Sequence, residues 1–492
     1  MVVASPALAA DTAGLPSEMW QRVRGVQPAT IDLTPTPSPE APAKLSLQEC
    51  IALAFRSNSG FRQDQERLLN ARQALWIADE RLFYTASTTA DREKSPGGTP
   101  ETSVSSDLTA QWEARGGGSL QAGVGSGTQG TFGDIFSQRP SLTLSYDQPL
   151  LRGFGLASST AERVRSARTA LGAQELSFYD GYQDLGESII SGYYDVLLAR
   201  GEVEIAQRSA DRAKQLYDIN YAKFSGEGLK QPDEEWVSQV AEIDVDQASL
   251  SWKRAKQQLI STQQAYRDAM DQLLLDMGFH PGATPELTTP ILYSPQEYDE
   301  AALVKTALSN STELGRLELS RQDAQAACRI ARSEALPDVT ATLGLTDLGE
   351  TEGGVRVDRG WLGGVSVQMP LFDRRRREDV ARAERGLNVL DQRILAVRDA
   401  VTQGVQRQVR AAASSRARID IGEQSAALAR KSREGAQGMY DEGLSDYLRV
   451  LDAEDRLVEA ERSLLQEQVQ YFLTTVRVRR AVGEDITQGL PE

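Results

Sequence analysis

The stretch SYDQPLLRGFG (145–155) places a Pro-Leu pair after a short alternating run and before a long polar segment. SVQMPLFDRRR (366–376) makes the same arrangement again, with Pro149 and Pro370 about 220 residues apart. Proline has no amide donor and a fixed φ, so it ends β pairing. Each stretch is therefore read as a strand-to-helix transition, and the chain is read as making that transition twice.

The runs before the prolines alternate with period two. In SLTLSYD, Leu142, Leu144 and Tyr146 share one face. In VTATLGL, Val339, Ala341, Leu343 and Leu345 do so, and in GVSVQM Val365, Val367 and Met369 do. An apolar face backed by small polar residues suits a half-buried sheet or a lipid-facing barrel. Trp361 and Tyr146 are candidate interfacial aromatics or core residues.

The segments after the prolines read as helices. Residues 157–224 contain no proline, enough for roughly 100 Å of helix at 1.5 Å per residue. Val245, Trp252, Leu259, Tyr266 and Leu273 recur every seven residues, as do Val450, Leu457, Leu464, Tyr471 and Val478. Sustained heptads point to coiled-coil packing of long helices.

Other pieces recur in the same order. CIALAFRSNSGFRQ (50–63) resembles LVKTALSNSTELGR (303–316), which aligns Asn58 with Asn310. ADERLFYTAST (78–88) matches RSEALPDVTAT (332–342), and FSGEGLKQ (224–231) matches YDEGLSDY (440–447). The predicted organisation is a signal remnant and Pro-rich segment over 1–44, then two repeats over 45–282 and 283–492. The first has strands at about 84–92 and 141–148 and helices at about 156–224 and 232–277. The second has strands at about 338–346 and 362–369 and helices at about 374–440 and 446–482. A Gly/Ser/Thr-rich stretch between 90 and 141 has no counterpart; it reads as a surface loop or an added hairpin, with alternating pieces around Leu108–Trp112 and Leu120–Val124.

Composition narrows the function classes. The net charge is −16, and binding a phosphate backbone needs clustered cations, so nucleic acid is not an expected partner. The basic run Arg374–Arg377 reads as a solvated helix start. Two cysteines, Cys50 and Cys328, and one histidine, His280, leave no pattern for a disulfide framework or a metal centre. No cofactor is expected. Carboxylates such as Asp79-Glu80 and Glu234-Glu235 read as solvated helix faces. With no phosphate loop, nucleophile elbow or His-based dyad, the chain does not read as an enzyme. Ala7-Leu8-Ala9 fits a small-x-small cleavage site after an apolar run, the tail of an export signal.

The parts constrain each other. Four strands per chain cannot close a membrane barrel, which needs about eight, and open edges in lipid cost several kcal/mol per unpaired group. Three copies would supply twelve strands and twelve helical strands continuing from them. The fold class expected is mainly α with a small β-barrel portion, built from a duplicated helix, strand, strand, long helix, helix unit.

QPLLRGFG (148–155), LSLQECIALAF (45–55), ALPDV (335–339) and MYDEGLSDYLRVLDAEDRL (439–457) together resemble the TolC-type outer-membrane efflux family over most of residues 45–483. The resemblance implies a homotrimer with a twelve-stranded barrel in outer-membrane lipid and a twelve-helix periplasmic tunnel. It implies docking to a periplasmic adaptor protein and an inner-membrane transporter, as the outer channel of an efflux or type I secretion system. It places adaptor-contacting tips at Gly228 and Leu229, and at Gly443, Leu444 and Ser445. The family pattern has two inward aspartates just after the second tip. Here the second is Asp452, while Arg449 occupies the first, so cation block at this gate is expected to be weaker. Asp446 is a further candidate acid, and Tyr440 matches a tyrosine of the closed-state contacts. The rival reading is a soluble periplasmic long-helix scaffold or adaptor, which would explain heptads and acidity but not the paired strands.

Overall fold

A computed structural model describes residues 42–93, 101–130, 139–225, 242–291, 293–351, 355–369, 373–442 and 444–489. The export-signal reading at Ala7–Ala9 lies outside them. The chain is mainly helical. It begins with β1 (Lys44–Leu45), α1 (Leu47–Ser57) and α2 (Ser59–Ala78), followed by β2 (Leu82–Glu93), β3 (Glu101–Glu113), β4 (Ser119–Gly130) and β5 (Arg139–Pro149). Helices α3 (Ser159–Ser225) and α4 (Glu242–Met277) come next. The second half runs through β6 (Glu286–Leu287), α5 (Glu300–Asn310), α6 (Thr312–Glu334), β7 (Asp338–Thr351), β8 (Val355–Gln368), α7 (Arg374–Asp441) and α8 (Tyr447–Val482).

Two compact units form, each drawing on both halves of the chain. One comprises residues 66–176 and 313–397 and holds the large sheet. The other, from residues 177–312 and 398–489 with the segment up to Gln65, is helical apart from the short β1–β6 pairing.

The helical unit is built on local signals that the sequence carries. Ser46 caps α1 in a reciprocal box: its hydroxyl accepts from Glu49 N, and Ser46 N donates to Glu49 Oε2 at 2.8 Å. Leu47, Cys50, Ile51 and Ala54 then bury one stripe at helical spacing. That stripe joins Ile189, Ile190, Tyr193 and Tyr194 of α3, Leu273, Leu274 and Met277 of α4, and Val476 of α8 in one core. The Tyr193 hydroxyl accepts from Thr289 N at 2.9 Å, which fixes the segment after β6 against α3.

One junction is built twice. Asn58 follows α1, and its Nδ2 donates to Asp276 O near the end of α4 at 2.8 Å. Asn310 ends α5, and its Nδ2 donates to Val482 O at the end of α8 at 3.3 Å. Gly278 and Gly483, one just after each helix end, have φ of 87° and 77°. These are the left-handed values that let a helix stop and leave room for the neighbouring turn.

The heptad positions of α8 face inward: Val450, Leu457, Tyr471 and Val478 are buried and Leu464 is partly so. On α4 only Leu273 is fully buried; Val245, Trp252, Leu259 and Tyr266 are intermediate in the single chain. Close helix approach explains an interior glycine. A Cβ on Gly201 of α3 would lie 2.5 Å from Leu465 Cδ2 of α8.

The large sheet is antiparallel throughout, in the order β2-β3-β4-β5-β7-β8. This corrects the strand count. Four strands per chain were expected, hence twelve from three copies, whereas the described residues hold six in this sheet. The undecided stretch between 90 and 141 contains a hairpin, β3–β4, paired along its length to β2 on one side and β5 on the other. The alternating pieces around Leu108–Trp112 and Leu120–Val124 lie in these two strands, and the pairing decides between loop and hairpin.

Candidate functional site

Antiparallel partners point to the same side of a sheet, so the register fixes two faces. On one face a row crosses every strand: Leu82, Trp112, Leu120, Tyr146, Leu343 and Gly363. Beside it run Tyr84 and Ala110, Ala122, Leu144 and Leu345, and Trp361. Leu108, Val124 and Leu142 continue the face. It is exposed rather than packed: Trp361 is 82%, Tyr84 71% and Val365 67% open in the single chain. The opposite face carries Thr85, Asp107, Thr109, Thr143, Asp147 and Thr342. Thr342 Oγ1 donates to Asp147 Oδ1 across β5–β7 at 2.7 Å.

Pro149 ends β5 opposite Thr340, and pairing outlasts it by one bond, from Leu150 N to Val339 O at 2.7 Å. Gly153, with φ 73°, donates to Ser333 Oγ at 3.1 Å. Ser158 Oγ accepts from Ala161 N at 3.2 Å in the manner of an N-cap and donates to Arg115 O at 2.8 Å. Pro370 lies outside the described residues; α7 starts at Arg374, where Asp373 Oδ1 accepts from Arg375 N.

Of the expected tips, Gly228, Leu229 and Gly443 lie outside the described residues. Leu444 is 73% exposed, and Ser445 is half-buried. Asp446 caps α8, its carboxylate accepting from Arg449 N at 3.3 Å. Arg449 and Asp452 are exposed, and Asp452 pairs with Arg456 one turn on, at 2.9 Å.

Tyr440 is buried among Leu216, Ala248, Ala436, Tyr447 and Val450. Its hydroxyl donates to Asn220 Oδ1, and the Lys223 ammonium sits 5.0 Å from its ring centre. Burial pushes the Tyr440 and Tyr447 phenols above their ordinary value. The structure thus brings Tyr440 together with Asn220 and Lys223 of α3, but leaves Arg449 and Asp452 on the outside of the single chain.

Two acidic residues in this region escaped the sequence reading. Glu454 is 5% exposed and receives Arg212 and Arg433. Asp455 lies beside it, lining a groove of about 500 Å³ between α3, α4 and α8 with Arg254 and Glu459. Burial, then the Glu454 and Asp452 charges, raises the Asp455 carboxyl above the usual range. Glu454 is set apart from the solvated carboxylates around it by its burial against Arg212 and Arg433, whereas Asp455 keeps solvent contact. Asp79 is exposed just past the end of α2, as its solvated reading has it, and Arg115 donates to it at 3.0 Å, which holds its carboxyl low. Glu234 and Glu235 lie outside the described residues. Among the described residues, no helix is long and apolar enough to cross a membrane.

Residues 303–484 match the model of the family described as outer membrane efflux protein. Outer membrane protein TolC of Escherichia coli (strain K12) is 21% identical over 327 residues, covering 64% of each chain, just under two thirds of that relative. The fold matches the outer membrane protein VceC of Vibrio cholerae with a TM-score of 0.68, 16% identity, and coverage of 89% of this chain and 96% of that one. It matches the Neisseria gonorrhoeae MtrE outer membrane channel in its open state at 0.66, with 14% identity and 89% of both chains. With the strand-helix organisation above, these matches give the chain the fold of the outer membrane channels and make its second half similar to the outer membrane efflux protein family.

Proposed function

We propose that the chain is the outer-membrane channel of a tripartite efflux or type I secretion system. It is a passive homotrimeric conduit that spans the outer membrane and extends into the periplasm. The carrying observation is the exposed apolar face that crosses all six strands, on a sheet whose outer strands β2 and β8 are paired on one side only among the described residues. In water such a face invites aggregation. In lipid it is favourable, provided that the edges close. Three copies joined edge to edge satisfy both conditions.

The helices then form the tunnel. The two halves supply matching pieces: α3 and α7 have 67 and 68 residues, α4 and α8 have 36 each, and α1 and α5 have 11 each. This supports the duplicated unit and the pseudo-equivalent roles of its halves. Pro149 and Pro370 mark the passage from barrel to tunnel. The adaptor meets Gly228, Leu229, Gly443, Leu444 and Ser445, and the inner-membrane transporter feeds the assembly. The gate is lined by Asp452, Arg449 and Asp446, with Tyr440 in its closed-state packing.

Fractionation and detergent extraction test this reading. The protein is expected in the outer-membrane fraction, soluble only with detergent, with the mass of three chains. Monomeric protein in detergent-free buffer overturns the reading in favour of a soluble scaffold.

A further inference from the structure

The β3–β4 hairpin breaks the two-strands-per-repeat plan, and its construction says where it belongs. Leu108, Ala110 and Trp112 of β3, and Leu120, Ala122 and Val124 of β4, fall in register with the apolar rows of the neighbouring strands. Leu108 and Val124 are each 56% exposed, against 50% for Leu142 on β5. Asp107 of the hairpin shares the opposite face with Asp147 of β5. A hairpin lying in water has no reason to keep a two-faced pattern in step with four other strands.

The hairpin is also anchored at its turn. Gly117, with φ 90°, lets the turn press against the strand-to-helix transition after Pro149: a Cβ there would clash with Gly153 O. Gly155 N donates to Gly116 O at 3.1 Å, and Ser158 Oγ donates to Arg115 O. Glu113 at the end of β3 accepts from Thr160 Oγ1 and pairs with Arg163 of α3, both at 3.1 Å. The turn is thus part of the junction between sheet and helix.

We propose that β3 and β4 are barrel wall, so that three copies close an eighteen-stranded barrel with the hairpin's apolar face against lipid acyl chains. This rests on the trimeric channel reading. With strands about 4.8 Å apart and tilted about 40°, eighteen give a backbone diameter of about 36 Å, against about 24 Å for twelve. The edges that meet between copies are β2 of one and β8 of the next, the same as without the hairpin. The insertion therefore widens the pore without changing the contact between copies, and the added polar face, rich in Gly, Ser and Thr, lines the lumen.

The test uses single-cysteine variants of the full chain in lipid vesicles with brominated acyl chains, each carrying a fluorophore. L108C and V124C are expected to be quenched to the same extent as L144C, whereas T109C and T143C are not. Electron cryomicroscopy of the same trimer is expected to show eighteen strands in section. L108C and V124C labelled by a membrane-impermeant maleimide while L144C is quenched, or a trimer with twelve strands, overturns the proposal and leaves the channel reading standing. An unquenched L144C, or a monomer, overturns both.

Discussion

Arg212 of α3 and Glu454 of α8 form a buried charge contact: Arg212 Nε donates to Glu454 Oε1 at 2.6 Å, and its Nη2 lies 2.5 Å from the same oxygen. Arg433 of α7 reaches the other carboxylate oxygen at 3.3 Å. One carboxylate thus ties three helices. A charge that is almost fully buried survives only when paired. Glu454→Ala leaves two guanidiniums facing each other. The expected loss is near the low end of about 3–5 kcal/mol, because Arg212 and Arg433 keep some solvent contact. Thermal unfolding followed by helicity should show it, and Glu461→Ala is the comparison. Glu461 pairs with exposed Arg430, so its removal should cost less. Equal losses would deny the clamp its role.

Adjacent tyrosines in the helical core predict opposite responses. The Tyr193 hydroxyl accepts from Thr289 N, whereas the Tyr194 hydroxyl is buried with no hydrogen-bond partner among the described residues. Tyr193→Phe strands a buried amide and should destabilise by about 1–3 kcal/mol. Tyr194→Phe removes an unpaired polar group and should be neutral or stabilising. Thermal melts of the two variants decide.

Burial raises both phenols above their ordinary value of 10. The folded state therefore favours the neutral form. Its contribution is complete below pH 10 and is lost as pH rises from there through the folded values. Tyrosinate absorbance from these residues should appear together with loss of helicity in alkali. Titration near pH 10 with helicity intact would count against their burial.

How much was legible in the sequence depended on the range of the signal. Long helices, heptads and the strands around Leu142 and Leu343 announce themselves through local periodicity. The Asn58 and Asn310 correspondence was also visible, and the structure gives each asparagine a carbonyl in the last turn of the neighbouring helix to bond. β3 and β4 were not decided, because a run such as GVGSGT has few apolar residues to alternate, and its strand character comes from Leu108 and Leu142 on either side. Glu454 was missed for a related reason: in YLRVLDAEDRL it is one carboxylate of three, and only the approach of Arg212 and Arg433 distinguishes it from Asp452.

The twin junctions should tolerate no side chain. A Cβ on Gly483 would lie 2.6 Å from Asn310 Cβ and 3.1 Å from Asn310 O, and one on Gly278 would lie 2.7 Å from Ser57 O. Both glycines also hold left-handed φ, which costs other residues roughly 1–2 kcal/mol. Gly278→Ala and Gly483→Ala should each lose more than that conformational cost alone, seen as a lower unfolding midpoint. A loss limited to one of the two would break the equivalence of the junctions.

The proposed gate makes a prediction about ions. Three carboxylates converging on one axis attract divalent cations and repel one another. In this chain Asp452 is already paired with Arg456 at 2.9 Å, Asp446 is committed to capping α8, and Arg449 adds a positive charge where a second acid would deepen the site. Divalent block of the reconstituted trimer is therefore expected to be weak. Arg449→Asp should strengthen it, since it replaces three cations by three anions around the axis, and Asp452→Ala should abolish what remains. The ion pairs here are exposed and screened within about 8–10 Å at ordinary salt, so the difference should shrink as salt rises. Single-channel recording with divalent cations added to the helical end reads all three effects. Strong block in the unaltered protein that Asp452→Ala leaves unchanged would place the constriction at other residues.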